Sequence, residues 1–185
     1  HAEEIRRVVP VIEALSTLDC LVSVDTYHIE TAQAAVTAGA DIINDISGGA
    51  DPAMQALVAA SGVGLCLMHM QGSPQTMQNN PSYADVVEEV AGFLAGRIST
   101  CVASGVMADQ IAIDPGFGFG KALKHNLHLL RCLEQVRFEQ YPLLVGLSRK
   151  SMLGTITGKP VEERDTASVV AAVLAAQNGA DIIRV

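Results

Sequence analysis

Asp114 heads the stretch Asp114-Pro115-Gly116-Phe117-Gly118-Phe119-Gly120-Lys121, directly after the apolar run Ile111-Ala112-Ile113. Such a run reads as a buried strand that delivers a carboxylate at its tip. Pro115 then ends sheet pairing, because it has no N–H to donate. The alternating glycines free the loop for backbone conformations that a Cβ forbids. Other apolar runs also end on groups that can do chemistry: Asp25 after 21–24, Asn44 after 42–43, Met68 and His69 after 65–67, Ser148-Arg149-Lys150 after 143–147, and Arg184 after 182–183. A carboxylate and an amide together match the ring N–H and exocyclic amine of an aminopyrimidine edge, as a carboxylate matches a guanidinium. Lys150 and Arg184 add positive charge late in the chain. The ligand outline is therefore a heterocycle at one end and an anion at the other.

Other motifs carry less. A Walker-type phosphate loop needs glycine where Pro115 stands and Ser or Thr where Ala122 stands; a dinucleotide fingerprint needs glycine at Lys121. His125 and His128 lie about one helical turn apart without a third ligand, and read as a surface pair rather than a metal site. His69, between two methionines, reads as a packed strand histidine rather than a general base. Each strand-end group also has a plain reading, Asp25 as a helix cap, Asn44-Asp45 as a turn and Arg184 as an ion-pair partner. Six strands ending in polar groups are hard to attribute to turns alone.

The elements that must position these groups alternate. Apolar strands 21–26, 42–46, 65–70, 111–114, 143–148 and 181–185 are separated by helical patterns over 2–15, 30–38, 52–60, 83–104, 127–137 and 166–178. Pro10 should kink or shorten the first helix. Asp51 and Pro52 form a start signal, and Gly62 a stop. Strands apolar on both faces, alternating with helices, belong to a parallel sheet covered by helices. An open doubly wound sheet and a (β/α)8 barrel both satisfy this. An internal repeat favours the barrel: residues 38–44 (AGADIIN) recur in form as 178–184 (NGADIIR). In a barrel the strand ends converge on one mouth, and the last two strands are where phosphate is commonly held.

The 185 residues suit one domain over 1–185; 49% are apolar and only 4% aromatic. A net charge of −8 argues against a nucleic-acid groove. No apolar run approaches the ~18 residues of a membrane span, and no signal-peptide pattern is seen. Cys20, Cys66, Cys101 and Cys132 form no C-x-x-C pair and read as structural thiols of a reducing cytoplasm. The chain opens without Met inside a helical pattern and stops in an apolar strand, so it is expected to be an excerpt, incomplete at both ends.

Val24-Asp25-Thr26, Ile43-Asn44-Asp45-Ile46, Leu67-Met68-His69-Met70-Gln71-Gly72, the 114–121 stretch and Gly146-Leu147-Ser148-Arg149-Lys150-Ser151 together closely resemble bacterial dihydropteroate synthases, of the pterin-binding enzyme family. The resemblance covers essentially the whole chain in matching order. It implies a TIM (β/α)8 barrel truncated to roughly its third to eighth strands. The implied reaction joins (7,8-dihydropterin-6-yl)methyl diphosphate to p-aminobenzoate in folate biosynthesis, with Mg2+ as cofactor, in a cytoplasmic homodimer that sulfonamides target. Asp25, Asn44, Met68, Asp114, Gly146 and Lys150 correspond to the pterin pocket, Arg184 to the diphosphate contact, and Phe119 and Ser151, with the stem of Lys150, to the p-aminobenzoate side. Lys150, Asp114 and Arg184 are the expected catalytic residues. The family's metal-associated Asn and mobile Thr-Arg loop would precede His1, and its His just after the eighth strand would follow Val185, so the chain is expected to be inactive by itself. Two other readings stay open on the residues, a pterin-dependent methyltransferase and a non-catalytic pterin-binding barrel.

Overall fold

The structure, a computed structural model, describes residues 1–185. In chain order the elements are α1 (Ala2–Leu15), β1 (Ser23–Asp25), α2 (Ile29–Thr37), β2 (Ile42–Asp45), α3 (Pro52–Ser61), β3 (Gly64–Met68), α4 (Val86–Ala103), β4 (Ile111–Asp114), α5 (Leu123–Arg131), β5 (Leu144–Gly146), α6 (Ser151–Thr157), α7 (Asp165–Gln177) and β6 (Ile182–Arg184). The six strands are those expected, trimmed at their ends, except that β3 starts one residue earlier, at Gly64. The chain forms two compact units, His1–Met68 with Ala95–Ala112, and His69–Leu94 with Ile113–Val185.

In the first unit β1, β2 and β3 lie side by side and parallel, with Ser23 opposite Ile42, Asp25 opposite Asn44, and Asn44 opposite Cys66. Ile43, Leu65, Leu67, Met54 and Val58 are fully buried there. This is the aliphatic sheet-and-helix core the composition calls for. α3 starts and stops on its sequence signals. The Asp51 carboxylate accepts from the Ala53 N–H at 2.8 Å, Pro52 is the first helical residue, and Gly62 closes the helix at φ 76°. Pro10 does not shorten α1, which continues to Leu15. It lies on the exposed face, where water can serve the carbonyl that loses its amide partner.

In the second unit β5 and β6 are parallel, with Gly146 opposite Arg184, and Ile113 of β4 is bridged to Leu143. Ile113, Phe117, Leu129, Leu133 and Leu143 form its buried interior. The helix expected over 127–137 is α5, four residues earlier, followed by a short 3-10 turn over Leu133–Val136. Its start carries none of the usual capping residues. Instead the His125 ring accepts from the Ala122 N–H at 3.2 Å. His125 is therefore buried against Tyr83, with ring centroids 5.0 Å apart, and is not half of a surface pair; only His128 is exposed. α6, directly after Lys150, has no counterpart in the sequence pattern. None of the helices is long and apolar enough to cross a membrane.

Candidate active site

Parallel register sets the first group of side chains. Asp25 and Asn44 are paired at the ends of β1 and β2, so they stand on one face of the sheet. The Asn44 Nδ2 donates to Asp25 Oδ2 at 3.0 Å. Asn44 is only 4% exposed, and its Oδ1 has no hydrogen-bond partner. Met68 lies two residues beyond Cys66, the neighbour of Asn44 in the register, so it shares that face and is buried. Asp45 faces the other way. Its carboxylate accepts from the Ser47 and Gly49 N–H groups at 2.7 and 3.0 Å, and Arg97 holds the carbonyls of the same loop, Gly48 at 2.6 Å and Gly49. Burial pushes the Asp45 carboxyl up, and these contacts oppose it. Asp45 is thus committed to building its turn.

The second group is organised around Asp114, 1% exposed at the end of β4. Its Oδ1 accepts from the Gly116 N–H at 2.7 Å, and its Oδ2 lies 3.4 Å from Arg184 Nη2. Burial pushes its carboxyl above the usual range; the Gly116 N–H and the charges of Lys150, Arg184 and Lys121 hold it back. Lys150 donates to the Phe117 carbonyl and sits 4.9 Å above the centre of the Phe119 ring. Burial, aided by Arg184, brings its ammonium down to about 8 against the pull of Asp114. Arg149, immediately before it, adopts φ 54°, a left-handed conformation that non-glycine residues seldom take. Its backbone is held there by Ser168 Oγ, which accepts from the Arg149 N–H, and by Arg164, which donates to the Arg149 carbonyl. That held turn brings the chain onto Lys150. Gly146 lies beside the Arg184 guanidinium, and Ser151 opens α6, exposed.

The expected residues therefore gather in two sets: Asp25, Asn44 and Met68 in the first unit, and Asp114, Phe119, Gly146, Lys150 and Arg184 in the second. Ser151 follows Lys150 in the chain but makes no polar side-chain contact with that set. His69 is the packed histidine expected, and it has a partner that the sequence did not announce. His69 and Lys121 are both buried and in contact, with Lys121 Nζ 2.9 Å from His69 Nδ1. Burial and the charge of Lys150 bring Lys121 down to about 7 against the pull of Asp114. The signal was a lysine closing a glycine-rich loop, set aside because the loop fits no nucleotide motif.

Chemically, the second set together with Lys121 places three basic side chains around one carboxylate. Such a buried surplus of positive charge favours an anionic ligand. The first set offers an acceptor in Asn44 Oδ1 that a ligand N–H would satisfy; left alone, a buried acceptor costs about 1–3 kcal/mol.

Comparison with known proteins gives a consistent result. The family model described as pterin binding enzyme matches residues 1–185. The dihydropteroate synthase of Haemophilus influenzae is 43% identical over 184 residues, which are 99% of this chain and 67% of that protein. The Burkholderia cenocepacia dihydropteroate synthase structure complexed with 7,8-dihydropteroate superposes with TM-score 0.93 at 48% identity, over 100% of this chain and 69% of that one. The Yersinia pestis enzyme in complex with a sulfonamide drug gives TM-score 0.96 at 44% identity, over 100% and 68%. The chain thus spans about two thirds of the length of these relatives. The expected fold class, an incomplete (β/α)8 barrel, is the one these neighbours support.

Proposed function

Since this chain belongs to the pterin-binding enzyme family, and within it to the dihydropteroate synthases, we propose that the whole protein joins (7,8-dihydropterin-6-yl)methyl diphosphate to p-aminobenzoate, giving 7,8-dihydropteroate and diphosphate. The observation that carries this reading is Asp114, a buried carboxylate attended by Lys150, Arg184 and Lys121. A ligand with both hydrogen-bond donors and a multiply charged anion satisfies the acid and the surplus of cations together.

In this reading Asp25, Asn44, Met68, Asp114 and Gly146 hold the dihydropterin. The Asp114 carboxylate and Asn44 Oδ1 accept from ring N–H and amine groups. Lys150 and Arg184 take the diphosphate, and Phe119 and Ser151, with the stem of Lys150, receive the arylamine. The methylene C–O bond to diphosphate breaks, and the arylamine nitrogen forms the new C–N bond. The pterin ring shares the cationic charge at the methylene as the leaving group departs. Lys150 and Arg184 stabilise the charge gathering on diphosphate, the electrostatic contribution that is usually largest. The arylamine is neutral at pH 7 and loses its proton after attack, so no strong general base is required.

Magnesium belongs to this proposal as the companion of the diphosphate, where it would neutralise charge. The residues around Asp114 do not fit as its resident ligands. The Asp114 oxygens already meet the Gly116 N–H and Arg184, and the groups around them are cations. A homodimer and a cytoplasmic location are also proposed. Family membership supports both, and the exposed Val169, Val170 and Val173 of α7 offer apolar surface for a subunit contact.

The test is incubation of the complete protein with labelled p-aminobenzoate and the dihydropterin diphosphate. Labelled dihydropteroate with one diphosphate released per condensation is expected. Methyl transfer, or pterin binding with no diphosphate released, would select one of the other readings.

A further inference from the structure

His69 has no part in the reaction as described and Lys121 enters it only through its charge near Asp114, yet the two form a buried polar cluster. Lys121 Nζ meets three acceptors: His69 Nδ1 at 2.9 Å, the Gly116 carbonyl at 2.8 Å and the Phe119 carbonyl at 3.2 Å. An ammonium has three N–H donors. Two are spent on the 116–120 loop that Lys121 closes, and the third on the histidine. For Nδ1 to accept, the His69 proton must sit on Nε2.

His69 also reaches the other end of the loop. Its backbone N–H donates to the Asp114 carbonyl at 2.9 Å. One residue therefore holds the loop's root through its main chain and the loop's close through its ring. The ring is itself fixed, edge-on to Phe93 with centroids 5.0 Å apart. Tyr83 adds a further latch, its hydroxyl donating to the Gly120 carbonyl at 2.8 Å.

We propose that His69 is a positioning residue: by accepting a hydrogen bond from Lys121 it fixes the 116–120 loop, and with it the Phe119 ring and the Phe117 carbonyl that hold Lys150 in place for the reaction. The inference rests on the roles given above to Lys150 and Phe119. Burial and the neighbouring Lys121 bring the His69 ring down to about 3, so it stays neutral and able to accept through the working pH range. Below about pH 7, where Lys121 is an ammonium, removing the acceptor leaves one of its buried donors unsatisfied, which is the expensive way to lose a hydrogen bond.

Two substitutions in the full-length protein separate this role from simple filling of space. His69→Asn places an amide oxygen near the position of Nδ1, whereas His69→Gln carries its oxygen out toward the position of Nε2. Amide hydrogen exchange across residues 114–121 is measured together with kcat and KM. Exchange and kcat in His69→Gln should change by about tenfold, faster and lower respectively, with His69→Asn staying within about threefold of the unaltered protein. Equal exchange in the two variants, or exchange in both at the unaltered rate, overturns the proposal. If the unaltered protein makes no dihydropteroate, the functional reading fails, while the exchange contrast still decides the loop's support. Should a variant not fold, lysine 15N spectra of the unaltered protein carry the test, with the resonance assigned by Lys121→Arg. Slowly exchanging Lys121 ammonium protons support the proposal; protons exchanging as fast as those of a surface lysine contradict it.

Discussion

Gly146 lies opposite Arg184 in the β5–β6 register, and the guanidinium occupies the space a side chain would claim: a Cβ on Gly146 would stand 3.0 Å from Nε and 3.1 Å from Nη2. Gly146 is not among the glycines with positive φ, so alanine is tolerated by the backbone, and the three atoms nearest to the new Cβ all belong to Arg184. Gly146→Ala should push the guanidinium away from Asp114 Oδ2. We expect affinity for the dihydropterin diphosphate to fall by about tenfold, the loss of one charge-assisted contact, with a smaller loss for the pterin without its diphosphate. Calorimetric titration with the two ligands checks this. Equal losses for both would trace the effect to the pterin pocket that Gly146 itself lines, and not to a diphosphate contact made by Arg184.

The charge of Lys150 sets a pH dependence. Burial and Arg184 lower its ammonium to about 8, so the charged form is present below that pH and is lost as pH rises through it. A lysine with a lowered value binds an anion through its protonated form, so kcat/KM for the dihydropterin diphosphate should fall above pH 8. Lys150→Arg keeps its charge over that range and should abolish the alkaline limb whatever it does to the maximum rate. A limb unchanged in Lys150→Arg would assign the titration elsewhere.

Two glycines of similar φ should respond differently to alanine. Gly120 has φ 63°, and a Cβ there would come within 2.6 Å of the Gln71 carbonyl oxygen; Gly158 has φ 69° with nothing within 4 Å. Gly158→Ala should cost only the left-handed conformation, about 1–2 kcal/mol. Gly120→Ala adds a backbone clash and should cost more than about 3 kcal/mol. Urea unfolding of the two variants measures the difference, and equal costs would show that the loop yields freely at Gly120.

Asn44 should separate stability from binding. Its Oδ1 is buried without a partner, while its Nδ2 is used by Asp25. Asn44→Leu removes one satisfied and one unsatisfied group, so the net change in stability should be within about 1 kcal/mol. Pterin affinity should fall by about tenfold or more, because a donor on the ligand loses its acceptor. Thermal melts and pterin titration together give the comparison. A variant that binds pterin normally would leave the orphaned oxygen without a function.

Much of this was legible in the residues. Strand ends at Asp25, Asn44, Asp114 and Arg184 could be read because apolar runs terminate on polar groups, and α3 because Asp51, Pro52 and Gly62 punctuate it. What could not be read either lacks a usual local signal or depends on tertiary partners. α5 is capped by His125 from within the helix, so its start carries no local signal. The left-handed turn at Arg149 is imposed by Ser168 and Arg164, far along the chain. Lys121 and His69 are 52 residues apart, and neither sits in a motif that announces the other.

The most direct test is titration of the full-length Asp114→Asn variant with the dihydropterin diphosphate. The asparagine keeps the size and one acceptor but removes the charge that Lys150, Arg184 and Lys121 surround. A drop in affinity of at least about tenfold, with the fold intact by circular dichroism, is the expected result for a charge-assisted contact. Affinity equal to that of the unaltered protein would contradict the account.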